Sequence, residues 1–183
     1  MGSGHYYGQV TLSQCQPAMQ IGMSCNLRMH RPGDLGWIVH RHGKLYAEEH
    51  GYNEHFEALV AEIAAAFLRA RDPRCERCWI AELEGEAVGS IMLVKLSADV
   101  AKLRLMFVEP KARCRGVGSA LVRECLRFAY EAGYRKITLW THSNLTNARR
   151  LYEWAGFRLV YSQPAEEGFG RELVDETWEF EFP

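Results

Sequence analysis

The sequence predicts a mixed α/β (α+β) domain built on a six- to seven-stranded, mostly antiparallel sheet with about four flanking helices. Three observations predict it. "CWIAELEG", "EAVGSIMLVKLS" and "VAKLRLMFVEP" are adjacent strand-like segments joined by short turns, as in an antiparallel meander. Several segments carry apolar residues at helical spacing between caps and breakers. Residues 103–140 run strand, glycine turn, helix, strand, the pattern of a parallel crossover. At 183 residues, 48% hydrophobic and 25% charged, the chain has the composition of one well-cored domain.

Each element has a local reason. Residues 1–25 mix Gly, Ser, Gln and Met without period and read as a flexible leader, partly of vector origin; residues 26–183 read as the domain. "NLRMHRP" is a short strand stopped by Pro32, and "GDLGWIVHRHGKLYAEEHG" is a weaker helical pattern that Gly43 interrupts. In "NEHFEALVAEIAAAFLRARDP" Asn53 caps an amphipathic helix whose Phe56, Leu59, Val60, Ile63 and Phe67 share a face, and Pro73 follows its end. After the three strands, Val117, Leu121, Cys125, Phe128, Ala129 and Ala132 mark the apolar face of a helix ended by Gly133. "RKITLW" is then a strand, "NLTNARRLYEWAG" a helix closing at Gly156, and "FRLVYS" and "DETWEFEF" two final strands. The polar segment between those last two, "SQPAEEGFGRELVDE", reads as a connection.

Charge and cysteine usage narrow the function. With 22 Lys+Arg against 23 Asp+Glu the net charge is -1, which gives no electrostatic reason for a nucleic-acid or membrane partner. No apolar run is long enough to span a bilayer and no secretory signal is evident, so a cytoplasmic protein with reduced thiols is expected. Cys75 and Cys78 form a Cys-x-x-Cys pair, but no second pair or His pair completes a metal site, and none is expected.

The segment "EPKARCRGVGSALVRECL" places two glycines at the mouth of a helix, where unpaired amides and the positive dipole end suit a phosphate. A P-loop is excluded because Ser119 and Ala120 follow Gly118 where a lysine is required. A dinucleotide fingerprint is weak because Leu121 stands where the third glycine belongs. "RCRGVG" fits Arg/Gln-x-x-Gly-x-Gly/Ala, the pyrophosphate loop of acetyl-coenzyme A, and about 30 residues later comes "NARRLYEWAGF". On these motifs residues 26–183 resemble the GNAT superfamily of N-acetyltransferases, in particular the acetyltransferase domain fused to MarR-type regulators.

The resemblance implies a residue-by-residue assignment. Backbone amides of Arg113, Cys114, Arg115, Gly116, Val117, Gly118 and Ser119 would hold the pyrophosphate, with both arginines adding charge. The strand edge Met106, Phe107 and Val108 would pair with the pantetheine arm, and Asn144 or Asn147 would touch it. Tyr152 would contact the coenzyme and protonate the leaving thiolate. The family's strand glutamate is missing from "AKLRLMFV", which carries Lys102 and Arg104 instead, so Glu48, Glu49 and His142 are the candidate bases. The implied reaction is direct acetyl transfer to a primary amine, on a small molecule or a protein, without a covalent enzyme intermediate or a metal. The alternative is a non-catalytic acyl-coenzyme A sensor. Glu166, Glu167, Glu172, Asp175 and Glu176 point either to a cationic acceptor or simply to a solvated loop, and a homodimer through the last strands would fit the family.

Overall fold

The computed structural model describes residues 25–183, so the expected leader, apart from its last residue, lies outside the described residues. The described chain begins with β1 (Asn26–Met29), α1 (Asp34–His50), α2 (Glu54–Ala70), β2 (Arg77–Leu83), β3 (Glu86–Lys95) and β4 (Val100–Val108). A 3-10 turn (Pro110–Ala112) leads into α3 (Val117–Glu131), β5 (Lys136–His142), α4 (Thr146–Trp154), β6 (Arg158–Ser162), β7 (Glu166–Gly168), β8 (Arg171–Leu173) and β9 (Asp175–Glu181). Seven of these strands make one sheet in the order β1-β2-β3-β4-β5-β9-β6. Within it β4 and β5, joined through α3, run parallel; the other neighbours are antiparallel. This is the mixed, mostly antiparallel sheet with four helices that the sequence predicts.

Two local readings need correction. Gly43 does not interrupt α1, which is continuous over 17 residues. A Cβ at Gly43 would lie 2.8 Å from the Glu57 carboxyl group, so the glycine permits close approach of α1 and α2 rather than breaking the helix. The connection 163–174 also contains a hairpin, β7 with β8, turning on Phe169 (φ 50) and Gly170 (φ 82). Positive φ at both central residues is the type I′ arrangement that matches strand twist, yet a phenylalanine in the first position carries no turn signal.

Period-2 alternation sends the strands' apolar residues to opposite faces. Cys78 and Ile80 of β2 join Leu35, Ile38, Phe56 and Val60 under α1 and α2, whereas Trp79 and Ala81 join Val117, Leu121 and Cys125 under α3. In β4 the alternation breaks. Ala101 and Leu103 belong to the α3 face, but Leu105 and Phe107 belong to the α1/α2 face. The cause is a bulge: between Ser90↔Phe107 and Met92↔Arg104, β3 advances two residues while β4 advances three. Leu105 takes a left-handed conformation (φ 46), and Ser90 Oγ donates to its carbonyl at 2.7 Å.

The bulge also marks where the sheet opens. Pairing of β4 with β5 covers Val100–Leu103 against Lys136–Leu139 and then ceases, although both strands continue. From Arg104 to Val108, the side of β4 facing β5 therefore has no strand partner among the described residues. Among the described residues no helix is long and apolar enough to cross a membrane.

Candidate active site

Two cavities meet where β4 and β5 part. An outer cleft of about 420 Å³ and an inner cavity of about 70 Å³ share Tyr46, Met106, Leu145 and Ala148 as walls. The outer cleft brings together Met106, Phe107, Val108, Arg113, Cys114, Gly116, Val117, Gly118, Ser119, Asn144 and Asn147, which are the sequence-predicted coenzyme residues except Arg115 and Tyr152. Arg115 is exposed on the same loop, and Tyr152 lines the inner cavity.

The geometry of the loop follows from its sequence. Cys114 (φ 57) and Gly116 (φ 78) are left-handed, a conformation that gathers successive amides into a concave surface. The first intrahelical bond of α3 runs from Ala120 N–H to the Gly116 carbonyl, so the amides of Val117, Gly118 and Ser119 are not used by the helix. A Cβ on Gly118 would sit 3.1 Å from Leu151 Cδ2 and 3.4 Å from Met106 Cε, filling the cleft floor between α4 and β4. Such a cradle, beside an unpaired strand edge, fits a ligand that combines a pyrophosphate with an amide-bearing arm.

The loop is held from α1. The Arg41 guanidinium clasps the buried Glu109 carboxylate through Nε (2.5 Å) and Nη2 (2.7 Å), just ahead of the 3-10 turn. Arg113 donates from Nη2 to Glu49 Oε1 at 2.8 Å and from Nε to the Val108 carbonyl at 3.2 Å. Glu49 thus stands at the cleft mouth as a partner of the loop arginine. Glu48 lines neither cavity; it is exposed and lies 3.8 Å from Lys44.

The inner cavity passes through the open part of the sheet. Its walls include His42, Tyr46, Phe56, Leu59 and Val60 from α1 and α2, and Ala148 and Tyr152 from α4. Tyr152 is 5% exposed, its hydroxyl makes no hydrogen bond among the described residues, and burial raises its pKa well above the ordinary phenol, so it keeps its proton. Buried His142, at the end of β5, also lines this cavity, with Nδ1 2.9 Å from the Tyr52 hydroxyl and Nε2 3.3 Å from Asp175 Oδ1. Burial lowers the His142 pKa against a smaller opposing pull from Asp175, so the ring is neutral at pH 7.

Sequence reasoning missed Tyr46, Tyr52 and Arg104. Tyr46 lies four residues beyond His42 and eight beyond Ile38 on the inward face of α1, a spacing that could have found it. The acids of the 163–176 segment line neither cavity. Glu166, Glu167 and Glu172 are exposed on the hairpin, while Glu176 is buried, accepting from Trp178 Nε1 at 2.9 Å and lying 3.0 Å from Arg149 Nε. Cys75 and Cys78 are free thiols, and among the described residues no group of three or more His, Cys, Asp or Glu side chains is arranged to hold a metal ion.

Two buried imidazoles, His142 and more strongly His42, make the site side of the core acid-sensitive. His42 donates from Nδ1 to the Ile38 carbonyl at 2.9 Å, and burial lowers its pKa to about 4 from 6.5. Between those values the unfolded chain binds a proton that the folded chain refuses, so stability falls as pH falls through this window. The loss reaches about 3 kcal/mol at about 1.4 kcal/mol per pH unit. Urea unfolding at pH 7 and at pH 4.5 should show this drop in midpoint, and His42→Leu should remove most of it. An unchanged slope in the variant would exclude His42 as the source.

Comparison with known proteins agrees with this geometry. The model of the acetyltransferase (GNAT) family matches residues 39–157. The N-acetyltransferase YhfO of Bacillus subtilis is 35% identical over 113 residues, covering 58% of this chain and 76% of YhfO. Human N-acetyltransferase 8 is 36% identical over 87 residues, covering 44% of this chain but only 37% of that protein's own length. Among solved structures, an N-acetyltransferase from Staphylococcus aureus superposes with a TM-score of 0.72 at 15% identity, covering 86% of this chain and 98% of its own. YncA from Salmonella typhimurium, solved with its cofactor acetyl-CoA, superposes at 0.67 with 16% identity, covering 86% and 94%. With a family match across most of the described chain, over a sheet that opens beside a glycine cradle, the protein belongs to the GNAT family of acetyltransferases.

Proposed function

We propose that the protein transfers the acetyl group of acetyl-CoA to a primary amine by direct attack within a ternary complex. The observation that carries this reading is that an outer cleft, lined by the glycine cradle at α3 and the unpaired edge of β4, shares four wall residues with the inner cavity that Tyr152 lines. Amides of residues 113–119 hold the pyrophosphate, helped by Arg113 and Arg115, and the backbone of Met106–Val108 takes the pantetheine arm as an added strand. Asn144 and Asn147, at the start of α4, flank that arm. The coenzyme supplies the thioester, the activated acyl group.

Tyr152 donates its proton to the departing thiolate, a role supported by its position in the wall of the inner cavity and by burial that keeps the phenol protonated. His142 accepts the proton of the amine. Its neutral ring supports that role, and Tyr52 at Nδ1 and the partly exposed Asp175 near Nε2 offer routes onward. Glu49 is engaged by Arg113 and Glu48 is remote, so neither competes for this role. Cys114 is exposed on the phosphate loop, away from the inner cavity where the thioester would lie, which supports direct attack over an acyl-cysteine.

The test is a thermal-shift titration with acetyl-CoA, with adenosine diphosphate and NAD as comparators. Ligand at 100 times its Kd stabilises by about 2.7 kcal/mol, which raises Tm by about 5 to 10 °C for a domain of this size. A shift selective for acetyl-CoA is the expected result. No shift at millimolar coenzyme would reduce the cradle to a structural turn and end the proposal.

A further inference from the structure

The inner cavity carries one formally charged residue, and it is an arginine. Arg104 lies immediately before the β4 bulge, which places it on the α1/α2 face with Leu105 and Phe107, opposite Met106 and Val108. The rest of the lining consists of apolar residues such as Phe56, Leu59, Ile63 and Trp140, together with Thr141, two histidines and two tyrosines. No Asp or Glu contributes to it. Arg104 is half-buried, and neither a hydrogen bond nor an ion pair reaches its guanidinium from the described residues.

That arrangement is costly without a ligand. A guanidinium partly withdrawn from water needs a counter-ion, and burial lowers the pKa of Arg104 with no neighbouring acid to oppose the effect. Its nearest charged neighbour on the strand is Lys102, a second cation, whose pKa is lowered first by burial and then by Arg104 itself. On the neighbouring elements the arginines are paired: Arg41 of α1 with Glu109, and Arg28 of β1 with Asp34 and Glu82. Of the other half-buried arginines, Arg28, Arg41 and Arg149 face carboxylates and Arg77 lies over the Phe128 ring, its guanidinium carbon 4.0 Å from the centroid, whereas Arg104 lines the inner cavity with neither kind of partner among the described residues. A planar guanidinium in that state is shaped for a carboxylate held by two parallel hydrogen bonds.

We infer that Arg104 is the carboxylate anchor of the acceptor site, and that the acceptor is a small amine bearing a carboxylate, of the amino-acid class, with an apolar remainder. The inference rests on the acetyl-transfer reading and deepens it. The carboxylate docks on Arg104, the apolar part lies against Phe56, Leu59 and Ile63, and the amine is left toward Tyr152 and His142, which line the same inner cavity. The same cation disfavours polyamines and lysine side chains, because the cavity offers them no counter-charge.

The test compares apolar L-amino acids (leucine, methionine, phenylalanine) with their carboxamides and their decarboxylated amines, reading thiol release from acetyl-CoA. Titrations of the N-acetyl acid and the N-acetyl amide in the presence of CoA give a binding readout independent of turnover. The expected result is at least about a tenfold preference for one or more acids over the matching amide, the loss typical when a charged hydrogen-bonded partner is removed. Arg104→Gln should abolish that preference with the KM for acetyl-CoA unchanged, while Arg104→Lys should keep part of it. Equal use of acids and amides, turnover of carboxylate-free amines alone, or a preference that survives Arg104→Gln would overturn the assignment. Coenzyme binding without acid-selective turnover or binding overturns the role of Arg104 alone; failure to bind acetyl-CoA overturns the acetyl-transfer reading and this inference together.

Discussion

Tyr152→Phe is expected to lower kcat about a hundredfold while changing acetyl-CoA affinity less than about twofold, within the range typical for loss of a general acid. The substitution deletes one oxygen and keeps the ring that packs 5.8 Å from Phe157, so stability should hardly change. The hydroxyl has no hydrogen-bond partner among the described residues, which means that no structural bond is lost with it. What disappears is the proposed proton source on the wall of the inner cavity. Steady-state kinetics beside a coenzyme titration separates the outcomes. An unchanged kcat would mean that solvent protonates the thiolate, and a wild-type chain that binds coenzyme but releases no thiol with any amine would be the non-catalytic sensor.

Arg41→Ala should cost about 3 kcal/mol of stability, because it strands the Glu109 carboxylate, 7% exposed, without its counter-ion. The guanidinium makes both hydrogen bonds at once, so Arg41→Lys should recover only part of the loss. The effect should extend to binding. Glu109 N–H bonds to the Val88 carbonyl at 2.8 Å, and the Glu109 carbonyl accepts from Ala112 at 2.8 Å, so this residue sets the exit of β4 into the phosphate cradle. Urea unfolding and calorimetric titration of coenzyme should therefore weaken together in Arg41→Ala. A destabilised variant with unaltered coenzyme affinity would show that the cradle is set without this clasp.

The sheet and helices were legible because their signals are local. Asn53 caps α2 through a bond from His55 N–H, and the apolar face of α3 is the one that is buried. The glycine turn into α3 was legible for the same reason, since its glycines and its helix are contiguous in sequence. The rest depends on contacts that sequence spacing does not record. Gly43 looked like a breaker because its reason is Glu57, fourteen positions away on another helix. The β7–β8 hairpin escaped because its strands are three residues long and its Phe169-Gly170 turn has an atypical first residue. Phe169 belongs there through tertiary packing, against Tyr52 and Phe56 at 5.7 and 5.2 Å. Arg104 was visible as a charge where the family often has an acid, but only the bulge shows which face it occupies.

That bulge gives the molecule a third edge. A sheet ordinarily ends in two, here β1 and β6, but the parting of β4 from β5 leaves unpaired amides and carbonyls in its middle. Unpaired strand edges template pairing with other chains, and the cleft beside this one is lined by no lysine or proline of the kind that usually guards an edge. The same backbone that we propose takes the coenzyme arm is thus a latent site of self-association, and a bound coenzyme would act on it as a plug. Solubility and catalysis would then share one stretch of backbone, and the protein would be least prone to aggregate when it is ready to work.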